Sequence, residues 1–136
     1  MKIIFEPLKD GVEPPKRSHL NDAGLDCKMP EDTLIKHGMN LIPMGFKMII
    51  PDGYCALLTP RSSFMSKLVN SAVPIDAQYA GEVHLCVNNM GEDFVVKKGE
   101  RIAQLMFLPV PEVNFVTPEE YKALSRGDGG LGSTGK

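Results

Sequence analysis

A chain of 136 residues, 43% hydrophobic and 24% charged, is long enough for one domain with a substantial core and too short for two. Its formal charge of -2 and pI near 5.9 exclude bulk electrostatic attraction to nucleic acid or an anionic membrane, so a phosphate-binding role falls to a few local cationic groups. Cys27, Cys55 and Cys86 form no C-x-x-C pair and have no histidine at metal-ligand spacing; they read as three buried, reduced thiols rather than a disulfide framework or a zinc site.

The N-terminal run MKIIFEPLKDG is too short for a signal-peptide core and passes at once into charge and proline, and no later stretch approaches about 18 apolar residues. The expectation is an intracellular, cytoplasmic protein. KIIFEPL, NLIPMGFKMIIP, YCALLTP, EVHLCVNN, DFVVKK and RIAQLMFLPV are strand-length apolar runs bounded by Gly, Pro, Asn or Asp. Helical spacing is confined to a short helix predicted over Ser62 to Val69 and a turn or two at PEEYKAL, 118 to 124, after a proline suited to the first helical position. Many short strands with regular turn signals predict an all-β sandwich, jelly roll or barrel. Five of thirteen glycines fall in the last ten residues, which divides the chain into a β domain, 1–125, and a flexible C-terminal arm, 126–136.

Three constellations carry chemistry. In the arm, Arg126, Ser133, Thr134 and Lys136 stand among glycines whose amides can converge, the parts of a phosphate cradle as well as of a plain disordered end. In TPRSSF, Arg61 precedes Ser62 and Ser63 at a helix start; this is either an anion site or a helix cap beside a surface charge. Asp26 in NDAGLDC and Asp76 in VPIDAQYAGE lie in apolar surroundings, as turn residues or as functional acids. With two anion-binding segments in one small chain, one acid can help hold a magnesium ion through its water shell and the other can deprotonate an attacking water.

The ordered set AGLD (23 to 26), PRSS (60 to 63), N-x5-D-x2-Y-x-G-E (Asn70 to Glu82), GERIAQLMF (99 to 107) and RGDGGLGSTG (126 to 135) resembles all five motifs of the trimeric dUTPase family, in the family's order. The resemblance implies a jelly-roll homotrimer with active sites between subunits and a C-terminal arm that closes over the nucleotide. It implies Mg²⁺-dependent hydrolysis of dUTP to dUMP and pyrophosphate, which keeps uracil out of DNA and supplies dUMP for thymidylate synthesis. Asp76 matches the acid that activates the water attacking the α-phosphorus, and Asp26 the acid near the hydrated magnesium. Tyr79 matches the aromatic beneath the deoxyribose, and Asn70 the residue at the hairpin that reads uracil. Ser62, Gln104, Arg126, Ser133 and Thr134 match phosphate contacts, with Arg61 as the motif's positive charge; Ser63, Ile75, Leu131 and Gly132 complete the implied substrate contacts.

Two departures bear on the base. Val73-Pro74 stand where the family usually has glycine and a branched residue, so a backbone N–H is missing from the turn and base recognition is expected to loosen. Leu131 stands where many members have a phenylalanine over uracil, and Phe64 is a substitute platform. Glu100 and Arg101 read as structural or interface charges, and His19, His37 and His84 carry no assigned role. Two other classes stay open: a dCTP deaminase on the same scaffold, and a regulatory binding protein that uses the nucleotide site as a switch. Asp76 and the glycine-rich arm favour dUTP hydrolysis over both.

Overall fold

Alternation along the strands sets the architecture. In β4 (Gly38–Ile49), Ile42, Met44, Phe46 and Met48 are buried while Leu41 before them and Pro43 among them face outward; in β7 (Glu82–Asn89), Val83, Leu85, Val87 and Asn89 point inward. The computed structural model describes residues 1–124. Its remaining elements are β1 (Ile4–Pro7), β2 (Leu25–Lys28), β3 (Thr33–Ile35), β5 (Tyr54–Pro60), β6 (Leu68–Asn70), β8 (Phe94–Val96), β9 (Arg101–Pro109) and the short helix α1 (Pro118–Leu124). Among the described residues these strands form an antiparallel sheet in the order β1-β4-β7-β6, another in the order β2-β9-β5, and the pair β3-β8.

The inner faces of the two larger sheets enclose one core, to which β5 gives Ala56 and Leu58 and β9 gives Ile102 and Leu105. Phe5 covers Phe46 with ring centroids 5.1 Å apart. Asn89 is the buried polar residue of this core, and it is fully engaged. Its amide donates to the Ile35 and Glu92 carbonyls at 3.2 and 3.0 Å, and its oxygen accepts the Gly91 N–H at 3.0 Å, so burial strands no polar atom. The all-β expectation holds, but the sheets do not close into a barrel.

Several local expectations change. Ser62–Phe64 form a single 3-10 turn, because Leu68–Asn70 is taken as the edge strand β6 beside β7 and leaves no room for a helix to Val69. Of the three thiols only Cys27 is buried, with Cys55 and Cys86 half-exposed; burial first, and the neighbouring Asp26 charge second, push the Cys27 thiol up to about 12. Three of the eight methionines, Met29, Met44 and Met48, belong to the core. The helix α1 starts as expected, at Pro118 behind a reciprocal cap: Thr117 Oγ1 accepts the Glu120 N–H at 3.1 Å and Glu120 Oε1 accepts the Thr117 N–H at 3.2 Å. No helix among the described residues is long and apolar enough to cross a membrane.

The ladder between β4 and β7 breaks between Pro43 and Lys47, and Gly45 sits in the break with φ +81°. Its N–H donates to Glu82 Oε2 at 3.0 Å and its carbonyl accepts the Leu8 N–H at 2.8 Å, while a Cβ there would stand 2.9 Å from Pro30 Cβ. Gly45→Ala is therefore expected to destabilise the fold by about 1–3 kcal/mol, seen as a lower urea midpoint with unchanged slope. A midpoint equal to that of the parent would show that the break absorbs a side chain without strain.

Candidate functional site

The first cluster is built across the sheet β2-β9-β5. Asp26 pairs with Gln104, and Gln104 pairs with Thr59, so the three residues share one rung. Gly24 keeps this rung tight, since a Cβ on it would lie 2.7 Å from Gln104 Oε1 and 2.9 Å from Gln104 Cβ. Arg61 follows β5 with its N–H on the Ile102 carbonyl at 2.9 Å, and its Nε reaches Asp26 Oδ1 at 3.1 Å. Arg101 Nη1 stands 3.4 Å from Asp26 Oδ2, which also accepts the Ser18 hydroxyl. Asp26 thus lies in a strand, not in a turn, and between two guanidinium groups.

Three donors occupy most of the roughly four lone-pair positions of that carboxylate. One water fits the remainder, whereas bidentate metal coordination does not. With this donor set Asp26 can accept from a water molecule but cannot chelate a cation directly. Among the described residues, no group of three or more His, Cys, Asp and Glu converges as a metal site. Ser62 and Ser63 are exposed beside Arg61, and neither hydroxyl caps the turn they form; their oxygens stay available to an anion.

The second cluster is the hairpin that joins β6 to β7. Asn70 opens it, its Oδ1 accepting the Ala72 N–H at 3.0 Å. Ile75 is pinned to Ala56 of β5 by two backbone hydrogen bonds of 2.7 and 3.0 Å, and Gln78, at φ 65°, turns the chain with its N–H on the Ile50 carbonyl at 3.1 Å. Tyr79 donates its hydroxyl to the Glu82 carbonyl at 3.1 Å, and Gly81 is small because a Cβ there would lie 2.6 Å from Tyr79 Cζ. The hairpin and β7 line a cavity of about 250 Å³ bordered by Leu58, Pro74, Ile75, Asp76, Tyr79 and His84, among others. Asp76 is exposed at this cavity, and among the described residues its carboxylate takes no hydrogen bond or ion pair. A larger cavity, about 400 Å³, borders Asp26 and Arg101 over an apolar floor that includes Met44 and Phe46.

The two clusters stand apart in one chain. Asp26 lies on β2, and Ile75 pairs with the far edge of β5, so three strand spacings of about 4.8 Å separate them across the sheet, roughly 14 Å. Along β5 the rung of Ala56 and Ile75 is three residues, about 10 Å, from the rung of Thr59 and Gln104. Within a chain Arg61, Gln104 and Asp26 come together, and Ile75, Asp76 and Tyr79 come together, but the two sets do not meet.

Phe64 is not free to serve as a base platform: its ring stacks on Phe94 at 6.4 Å and packs on the core, with Lys67 Nζ 4.7 Å over Phe94. Asn70 holds the mouth of the hairpin and does not border the cavity. Arg126, Leu131, Gly132, Ser133 and Thr134 lie outside the described residues. Glu100 is structural, its Oε1 accepting the Lys97 N–H at 2.8 Å in the turn before β9. Arg101 and His84, given no chemical role from sequence, belong to the first and second clusters respectively. Arg101 starts the strand that carries Gln104, a proximity that only the pairing of β9 with β2 reveals.

Comparison with known proteins identifies the family. The family model for dUTPase matches residues 10–135. Over 138 residues the chain is 41% identical to the deoxyuridine 5'-triphosphate nucleotidohydrolase of Clostridium tetani, covering 95% of this chain and 93% of that protein, and it is 35% identical to that of Corynebacterium efficiens, covering 95% and 75%. A mutant dUTPase of Staphylococcus bacteriophage 80alpha with dUpNHpp superposes with a TM-score of 0.77 at 28% identity over 98% of both chains. A dUTPase mutant from phage phi11 of S. aureus, described with a structural Mg(II) ion, superposes with a TM-score of 0.77 at 24% identity, covering 90% of this chain and 99% of that one; it supports the fold alone. The chain belongs to the dUTPase family.

Proposed function

We propose that this protein is a dUTP diphosphatase, hydrolysing dUTP to dUMP and pyrophosphate in sites shared between copies of the chain in a homotrimer. The observation that carries the shared site is the separation of the two clusters across the β2-β9-β5 sheet. A nucleotide whose base enters the hairpin cavity meets Asp76 and Tyr79 of one copy, while Ser62, Ser63, Gln104 and Arg61 reach its phosphates from another. The number three and the arm's role as a phosphate-binding lid follow from the family resemblance.

Asp76 acts as the general base. Its carboxylate is unengaged and open to solvent, so a lone pair is free to take a proton from water. The water oxygen attacks the α-phosphorus, the bond from that phosphorus to the bridging oxygen breaks, and pyrophosphate leaves. Asp26 would hold a magnesium ion through its water shell, and the ion would supply charge neutralisation for the phosphates. Tyr79, anchored through its hydroxyl to the Glu82 carbonyl, presents a ring face against which a deoxyribose packs. The hairpin backbone offers groups to a base edge, with Pro74 withholding one N–H. Arg61 keeps Asp26 in place while leaving its own remaining N–H groups for phosphate.

Asp76→Asn preserves shape and removes the base, so kcat toward dUTP is expected to fall by roughly a hundredfold or more with little change in nucleotide affinity. Pyrophosphate release at the parent rate would take Asp76 out of that role. The shared site makes a separate demand. Asp76→Asn and Arg61→Ala proteins, each nearly inactive alone, should recover a fraction of parent activity when unfolded and refolded as a mixture, because mixed oligomers contain some sites with both residues intact. A mixture no more active than its components, despite exchange seen by mass, would place both residues in one chain's own site. Deleting residues 126–136 tests the arm: thermal stability should stay close to that of the full chain while kcat/KM for dUTP drops on the order of a hundredfold, and retained activity would end the lid reading.

A further inference from the structure

The turn that carries Ser62 and Ser63 is tied down at its ends and at one side chain. Arg61 enters it with the N–H on the Ile102 carbonyl at 2.9 Å, and the Lys67 carbonyl leaves it by accepting the Met90 N–H at 2.9 Å. Between these ties the chain joins no strand, and Ser62, Ser63, Met65 and Ser66 are all exposed. Phe64 is the exception. Its ring packs on the core and stacks on Phe94, with centroids 6.4 Å apart and planes 18° from parallel. Lys67 brings its ammonium within 4.7 Å of the centroid of the same Phe94 ring, so the segment meets that ring twice. Phe94 itself stands on a fixed corner. It opens β8 opposite Ile35 of β3, and Val96, two residues on, is buried in the core. Immediately before it, Asp93 Oδ1 accepts the His37 N–H at 2.7 Å, and the Glu92 carbonyl accepts the Asn89 amide at 3.0 Å.

We infer that Phe94 is a positioning residue for the phosphate subsite, setting the place of the Ser62 and Ser63 hydroxyls through its stack on Phe64. The inference rests on the reading above, in which those serines meet the phosphates of dUTP. Ser63 and Phe64 are consecutive, so their Cα atoms keep a separation of about 3.8 Å and a shift of the ring carries the hydroxyls with it. A serine hydroxyl turns about one bond and cannot make up for a displaced backbone, and an error of about 1 Å at a reacting group can cost on the order of a hundredfold in rate. Phe94 lies outside the five sequence motifs and acts on the nucleotide only through the turn.

The test compares the full-length parent with Phe94→Leu, Phe94→Tyr, Phe64→Leu and a protein carrying both Ser62→Ala and Ser63→Ala, the last also combined with Phe94→Leu. Kinetics on dUTP and competitive inhibition by deoxyuridine, which has no phosphates, are read beside the melting temperature. Phe94→Leu should lower kcat/KM for dUTP about tenfold and leave inhibition by deoxyuridine within about twofold, since only the phosphate end loses its alignment. Phe64→Leu removes the other ring, leaves β8 untouched and should show the same split; Phe94→Tyr keeps the ring and should stay near the parent. Without the two serine hydroxyls, Phe94→Leu should cost little further, because effects that run through one contact do not add. A parent that leaves dUTP intact removes the functional reading and this inference together. Full activity without both hydroxyls removes the serine contacts, and the inference with them, while dUTP hydrolysis stands. An active parent and an impaired serine variant, beside Phe94→Leu at the parent kcat/KM, overturn the role of Phe94 alone. A loss in Phe94→Leu that weakens deoxyuridine equally, or persists in full without the serines, also overturns it by marking Phe94 as structural. Should Phe94→Leu not fold, Phe64→Leu decides by its own split between dUTP and deoxyuridine.

Discussion

Asp26 and Asp76 stand on opposite sides of one three-stranded sheet, and the chemistry of this protein is constrained by that separation. β9 pairs on one side with β2, which carries Asp26, and on the other with β5, to which Ile75 is pinned. Hydrogen-bonded strands keep a fixed spacing, so no side-chain rotation brings the two carboxylates onto one α-phosphate. Rearrangement within the chain would have to break the ladder that also holds the core. Association of copies, as proposed, would join the halves without disturbing either, because the contacts within each half are made inside one chain.

Glu82 links the fold to the second half. Its carboxylate holds the backbone of Gly45 where β4 breaks register, and its carbonyl fixes the rings of Tyr79 and His84. A single strand residue thus contacts both the register break in β4 and the two rings that border the cavity. The first half is held in a comparable way by Asp26, whose carboxylate fastens the chain after β5 and the start of β9 to β2. Binding residues need little ordering on contact with ligand when they are anchored beforehand, which lowers the entropy cost of recognition.

The long strands were legible in sequence because burial on one face gives strict alternation: EVHLCVNN appears in the structure as β7 with the same bounds, and YCALLTP as β5. β2, β3 and β6 were not: runs of three or four residues show no periodicity and are defined by their partners, and the equally short β1 and β8 were legible only because they lie in the apolar runs KIIFEPL and DFVVKK. The turn at Ser62 illustrates the same limit. Phe64, Met65 and Leu68 have near-helical spacing, yet Leu68 is claimed by the ladder with β7 and Phe64 by Phe94. Local spacing carried no information about either competitor. The motif residues themselves were legible, and their grouping was not: Arg101 gave no sign in sequence of facing Asp26, and His84 none of facing Asp76 across a cavity.

The motifs turn out to be contacts rather than separate sites. Gly24 of the first is small because Gln104 of the fourth occupies the space of its missing Cβ, and Asp26 of the first is held by Arg61 of the second. Gly81 and Tyr79 within the third are likewise two sides of one contact. A side chain introduced at Gly24 would displace Gln104 from its rung, although Gly24 itself has no part in the proposed nucleotide contacts. Substitutions in contacting residues do not act independently. Loss of Arg61 leaves Asp26 with Arg101 and Ser18, and loss of Asp26 leaves two guanidinium groups facing each other across the same gap. Charge repulsion then makes removal of the acid the more disruptive of the two changes, so a carboxylate with so little room for metal remains central to the cluster of Arg61, Arg101 and Ser18.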